Sequence, residues 1–117
     1  MSGPLEEHHA RAAISEARVR KVQQIAALEQ SVAMIFEAAE LTSTDDEHDP
    51  EGSTIAYERA QVLALLRQAR SDLQMLDEAR RRFDCGEGAL CASCGKPIGP
   101  ERLLALPTTQ TCVTCAS

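Results

Sequence analysis

Cys91-Ala92-Ser93-Cys94-Gly95-Lys96-Pro97-Ile98, answered by Cys112-Val113-Thr114-Cys115, is the stretch that decides how this chain folds. It is two C-x2-C pairs with seventeen residues between them. Two intervening residues let a tight turn aim both sulfurs at one ion. A second such turn supplies the other half of a tetrahedron, so the spacing predicts a four-cysteine zinc site. Gly95 supports the first turn, since glycine takes a positive φ without steric cost. Ala116 holds the matching place after the second pair, which predicts a less ideal turn there. Three other uses of the cysteines compete with it: disulfides, a redox C-x-x-C, or unrelated buried thiols. A redox motif is expected once, beside a βαβ pattern, and the chain has none. Disulfides need an oxidising compartment. Four thiolates would close the coordination sphere, so one zinc per chain is expected in a structural role.

Working outward, the 117 residues suffice for one domain with an extended arm. The aromatic set is Phe36, Tyr57 and Phe83, too little for a large layered core. Helix pairing and metal binding must therefore carry the fold. The formal charge is −6, and four ionised thiols plus one dication would take it to about −8. Such a chain repels phosphate, which argues against direct sequence-specific DNA binding and favours basic protein surfaces. The amino terminus has neither the basic start nor the apolar run of a signal peptide, and no segment is apolar enough to span a membrane. A reducing, cytoplasmic setting is the expectation.

From about Leu5 to Leu41 the chain lacks proline and glycine and is rich in Ala, Glu, Arg and Gln. Ile25, Leu28, Val32, Ile35 and Ala39 recur at steps of three and four, with Ile14 and Val22 continuing the stripe after a break in register. Residues 42–52 interrupt it with five carboxylates: Asp45, Asp46, Glu47, Asp49 and Glu51. Pro50 and Gly52 predict a loop there, with Ser53 or Thr54 capping a second helix that runs to about Phe83. Its seam reads Ile55, Val62, Leu66, Ala69, Leu73, Leu76 and Phe83, with Arg59 and Arg80 in the same register. Arg80, Arg81 and Arg82 suit the negative end of a helix dipole, with a phosphate-binding patch as the rival reading. Gly86 is the expected terminator. Cys85 is expected to be a spectator, and His8 and His9 a solvated pair. Leu103, Leu104 and Leu106 are expected to pack against the base of the helices, and no helix is expected beyond Cys115.

The expected fold is mainly α: a long antiparallel two-helix coiled-coil hairpin over residues 1–84, with an acidic tip loop at 42–52, then a small C-terminal four-cysteine zinc finger over 85–117. Thirty helical residues reach roughly 45 Å, which would set the tip far from the metal. No nucleophile–base pair is visible, so an enzyme is not expected.

Cys91-x2-Cys94-Gly95-x-Pro97-Ile98-x3-Arg102-Leu103-x-Ala105-x-Pro107-x4-Cys112-x2-Cys115, following a helical hairpin with an acidic tip, resembles the DksA/TraR C4-type zinc-finger family. Asp49-Pro50-Glu51-Gly52-Ser53-Thr54-Ile55-Ala56-Tyr57-Glu58-Arg59 is similar to a stretch of its short bacterial members. The resemblance implies zinc on Cys91, Cys94, Cys112 and Cys115. It also implies direct binding to RNA polymerase, with the coiled coil in the secondary channel and the acidic tip near the catalytic magnesium. In some members the alarmone ppGpp acts together with the protein. The tip motif of the best-known member, Asp-x-x-Asp-Ala, falls on Asp49 through Ser53, with Gly52 at the second aspartate, so Asp49 alone carries over. The aromatic–Gly pair usual before the first cysteine stands here as Gly88-Ala89. A zinc-stabilised adaptor with a non-polymerase partner is the alternative.

Overall fold

The computed structural model describes residues 4–42 and 50–116. Four helices follow in order: α1 (Pro4–Thr42), α2 (Pro50–Asp84), α3 (Pro100–Ala105) and α4 (Val113–Ala116). The chain divides into two compact units, Lys21–Asp72 and the combination of Met1–Arg20 with Leu73–Ser117. Among the described residues, one antiparallel bridge, Leu90 to Pro97, is the extent of β-pairing. No described helix is long and apolar enough to cross a membrane.

Proline opens both long helices, and its fixed φ and missing N–H cost nothing in a first turn. Starting at Pro50 corrects the expected loop of 42–52. Thr42 belongs to α1 and residues 50–52 to α2, so Ser53 and Thr54 lie inside the helix rather than at its cap. Gly52 is accepted at a cost of about 1 kcal/mol relative to alanine. Asp45, Asp46, Glu47 and Asp49 lie outside the described residues, while Glu51 falls in the first turn of α2.

In the unit Lys21–Asp72 the two helices run antiparallel. Lys21 pairs with Asp72 at 3.3 Å, Glu29 with Arg70 at 3.6 Å, and the Arg59 guanidinium lies 5.4 Å from the Phe36 ring centre. Leu66 and Ala69 are its buried apolar residues, with Ile25, Leu28, Val32, Ile35, Ala39, Ile55 and Val62 half-buried around the seam. The Gln68 amide, and then the Lys21 ammonium, hold the Asp72 carboxyl below its ordinary pKa. Lys21 corrects one expectation. Val22 is exposed, and the stem of Lys21 holds the seam position with its ammonium at the edge, so the stripe keeps its register through 14, 18, 21 and 25.

The other unit is built more densely. Ala10 and Ile14 from α1, Leu76, Ala79 and Phe83 from α2, and Cys91, Ile98 and Leu103 from the carboxy-terminal segment form one buried cluster. That is eight of the ten buried apolar residues described, so most of the hydrophobic stabilisation is concentrated here. Ion pairs Arg11–Asp84 at 2.5 Å and Arg18–Asp77 at 2.7 Å set the same antiparallel register. Each is exposed and contributes about 0–1 kcal/mol, so the apolar cluster decides the packing. Ala79 fills the place expected for Arg80, which stands exposed; a small side chain fits that seam and a guanidinium does not. Leu103 is fully buried as expected, but Leu104 and Leu106 face outward.

α2 ends in a Schellman motif. Glu87 N–H donates to Arg82 O at 2.8 Å and Gly86 N–H to Phe83 O at 3.0 Å, with Gly86 at φ 82°. The chain then turns back so tightly that the Gly88 backbone lies on the Phe83 ring. A Cβ at Gly88 would stand 2.3 Å from Phe83 Cγ. Gly88→Ala should therefore displace the ring and destabilise the zinc-loaded protein by about 1–3 kcal/mol, read as a lower midpoint in chemical denaturation.

Candidate zinc centre

The first cysteine pair sits on a hairpin-like turn. Ile98 N–H donates to Ala89 O at 2.9 Å and Cys91 N–H to Lys96 O at 2.8 Å, which closes the Leu90–Pro97 bridge. Inside it, Gly95 N–H donates to Cys91 O at 2.9 Å while Gly95 takes φ 77°, the left-handed turn read from its sequence position. The second pair makes the equivalent bond, Ala116 N–H to Cys112 O at 3.0 Å. It does so as one turn of right-handed helix, α4, so Ala116 needs no positive φ. This corrects the expectation of a poorer second turn. Ala92 N–H donates to Gln110 O at 2.7 Å and ties the two turns together.

The segment between them is held by α3. Gly99 precedes it at φ 103°, Pro100 opens it, and Leu103 anchors it in the buried cluster. These devices bring Cys91, Cys94, Cys112 and Cys115 together, with all four sulfurs within 4.8 Å of one another. A zinc–sulfur bond of about 2.3 Å implies a tetrahedral edge of about 3.8 Å. Cys94 Sγ and Cys112 Sγ lie 3.8 Å apart, so the donor set fits one zinc ion. A disulfide would need about 2.05 Å. Among the described residues this is the one His/Cys/Asp/Glu group placed to hold a metal; Cys85 is exposed and outside it, as are His8 and His9 on α1. Four thiolates leave no open position, so the zinc is structural.

The sulfurs are not equivalent. N–H groups of Cys112 and Cys94 donate to Cys91 Sγ and bring its pKa down to about 6. Cys112 is lowered too, chiefly by the N–H of Cys115. Cys115 is pushed up to about 12, because its sulfur interacts with Cys112, Cys91 and Cys94 and must hold a proton when they ionise. In folding terms, the Cys91 thiolate contributes stability above the ordinary thiol pKa that is lost as pH falls through about 6.

Two arginines that sequence reading left without a role at this centre serve its loops. Arg82 Nη2 donates to Glu87 O at 3.1 Å and Leu90 O at 2.7 Å. Arg102 Nε donates to Thr111 O at 2.9 Å and its Nη2 to Thr109 Oγ1 at 3.3 Å. Arg81 pairs instead with Glu78 one turn back, at 2.6 Å. Helix-end position suggests a dipole partner, and nothing in a linear sequence shows which carbonyl a guanidinium will reach.

Zinc binding should release protons from the four thiols, and the number released per ion should rise toward four as pH falls below the ordinary thiol pKa. Calorimetric titration of the zinc-free chain in buffers of different ionisation enthalpy measures this directly.

Comparison with known proteins follows this geometry. Residues 86–117 match the prokaryotic dksA/traR C4-type zinc finger. None of the curated proteins matches the chain significantly in sequence. Among solved structures, the chain is similar to transcription factor DksA2 from Pseudomonas aeruginosa, with a TM-score of 0.81 and 21% identity over 97% of this chain and 81% of that one. The likeness places the long helices and the metal module in the same fold. By its cysteine framework and the residues between, the carboxy-terminal segment 86–117 belongs to the prokaryotic dksA/traR C4-type zinc-finger family.

Proposed function

We propose that this chain is a bacterial transcription regulator that binds RNA polymerase directly. Residues 1–84 act as a probe whose acidic end, the carboxylates between positions 45 and 51, enters the secondary channel, and residues 85–117 form the zinc-pinned foot. Cys91, Cys94, Cys112 and Cys115 are the zinc ligands. Asp49 is the effector carboxylate, with Asp45, Asp46, Glu47 and Glu51 adding charge around it. The observation that supports the reading best is the fold match to a transcription factor over nearly the whole chain. The net charge of −6 suits a basic, magnesium-bearing channel and disfavours a direct grip on DNA. The protein does no chemistry of its own here; it alters the lifetime of promoter complexes, with or without ppGpp at the polymerase interface, in the cytoplasm.

One observation fits either reading. Met34, Phe36 and Tyr57 are 62%, 44% and 66% exposed on the unit Lys21–Asp72, and an exposed apolar group of this kind suits a protein partner of either description.

Purified chain and RNA polymerase decide between the two. The expected result is stable co-elution and a changed promoter-complex lifetime. Neutralising the five carboxylates should reduce the effect on lifetime about tenfold, or ~1.4 kcal/mol, with Asp49→Ala alone giving a large share of the loss. Co-elution with unchanged lifetimes in both variants would remove the tip mechanism, and no co-elution would favour the adaptor.

A further inference from the structure

We propose that Arg82 and Arg102 are positioning residues for the zinc site, each fixing one C-x2-C turn so that its sulfurs are aimed at the metal. The two act at equivalent places. Leu90, whose carbonyl Arg82 holds at 2.7 Å, immediately precedes Cys91, and Thr111, whose carbonyl Arg102 holds at 2.9 Å, immediately precedes Cys112. A peptide unit is planar, so fixing its carbonyl fixes the N–H on the other side and the Cα that follows. At the first turn, that N–H belongs to Cys91 and donates to Lys96 O at 2.8 Å, the bond that closes the turn. At the second, it belongs to Cys112, so Arg102 orients the backbone that carries the first sulfur of the second pair.

Each arginine also makes a second contact that fixes its own orientation. Arg82 spans Glu87 O and Leu90 O, joining the last turn of α2 to the start of the first cysteine turn. Arg102, on α3, reaches Thr109 Oγ1, whose hydroxyl donates in turn to Thr111 O at 3.2 Å. Both arginines are half-buried. Their bonds to carbonyls are charge-assisted and therefore stronger than neutral ones. Lysine, a point donor, can satisfy one acceptor but cannot reproduce the planar fork.

The test is zinc affinity of the purified full chain by competition with a chromogenic chelator, alongside the absorption spectrum of the Co2+-loaded site. Arg82→Ala and Arg102→Ala should each weaken zinc binding about 10- to 100-fold and distort the tetrahedral Co2+ bands, as removal of outer contacts to metal ligands does elsewhere. Arg81→Ala is the control, since the Arg81 guanidinium bonds Glu78 on its own helix. It should leave affinity within about twofold of the parent. Should an alanine variant fail to fold, the Arg82→Lys and Arg102→Lys proteins decide: intermediate affinity with parental helix content supports the assignment, and parental affinity overturns it. Unchanged affinity in both alanine variants, or an equal loss in Arg81→Ala, would also overturn it.

Discussion

Four sulfur atoms drawn within 4.8 Å of one another are the constraint on which the rest of the carboxy-terminal segment depends. Three residues of that segment, Cys91, Ile98 and Leu103, enter the buried cluster, too few to hold some thirty residues in one conformation by apolar burial. Zinc supplies what the apolar residues cannot. Structural zinc sites of this class bind with about 10–16 kcal/mol, and that free energy is folding free energy when the site does not exist in the unfolded chain. The backbone is arranged to receive the metal. Equivalent bonds, Gly95 N–H to Cys91 O and Ala116 N–H to Cys112 O, shape the two turns, and Ala92 N–H to Gln110 O sets one against the other.

The buried cluster joins this metal module to helical residues. Cys91 is both a zinc ligand and a member of the apolar core, beside Phe83, Ala79 and Ile14. Metal binding and helix packing are therefore coupled through one side chain. Phe83 is a second point of coupling: its ring supports Gly88, which leads the chain into the first cysteine turn. Among the described residues of the unit Lys21–Asp72, Leu66 and Ala69 are buried and the rest of the seam is half-exposed. Its cross-helix contacts are ion pairs and a cation–π stack, each contributing a fraction of a kcal/mol to about 1 kcal/mol. Local stability follows buried apolar contacts, and among the described residues these are concentrated in the metal-bearing unit.

The zinc framework was legible because its chemistry is local: spacing, Gly95 and the prolines are all read along the chain. Helix existence was legible for the same reason, since Leu5 to Leu41 contains no breaker. What failed were choices between adjacent residues. Val22 was preferred to Lys21 and Arg80 admitted to the seam because hydrophobicity alone cannot show that a lysine stem will lie in the seam or that Ala79 will fill it. The loop boundary failed because Pro50 was read as a breaker when, at a first turn, it is a starter. The roles of Arg82 and Arg102 were hidden for a different reason. Their acceptors are backbone carbonyls, which carry no sequence signature.

The most direct measurement is a thiol count on the metal-loaded protein. With one zinc bound per chain, a thiol reagent under native conditions should modify Cys85 alone, and a strong chelator should then expose four more reactive thiols. Rapid modification of several cysteines while zinc stays bound, or purified protein that carries no zinc and still resists the reagent, would contradict a fold pinned by a four-cysteine zinc centre.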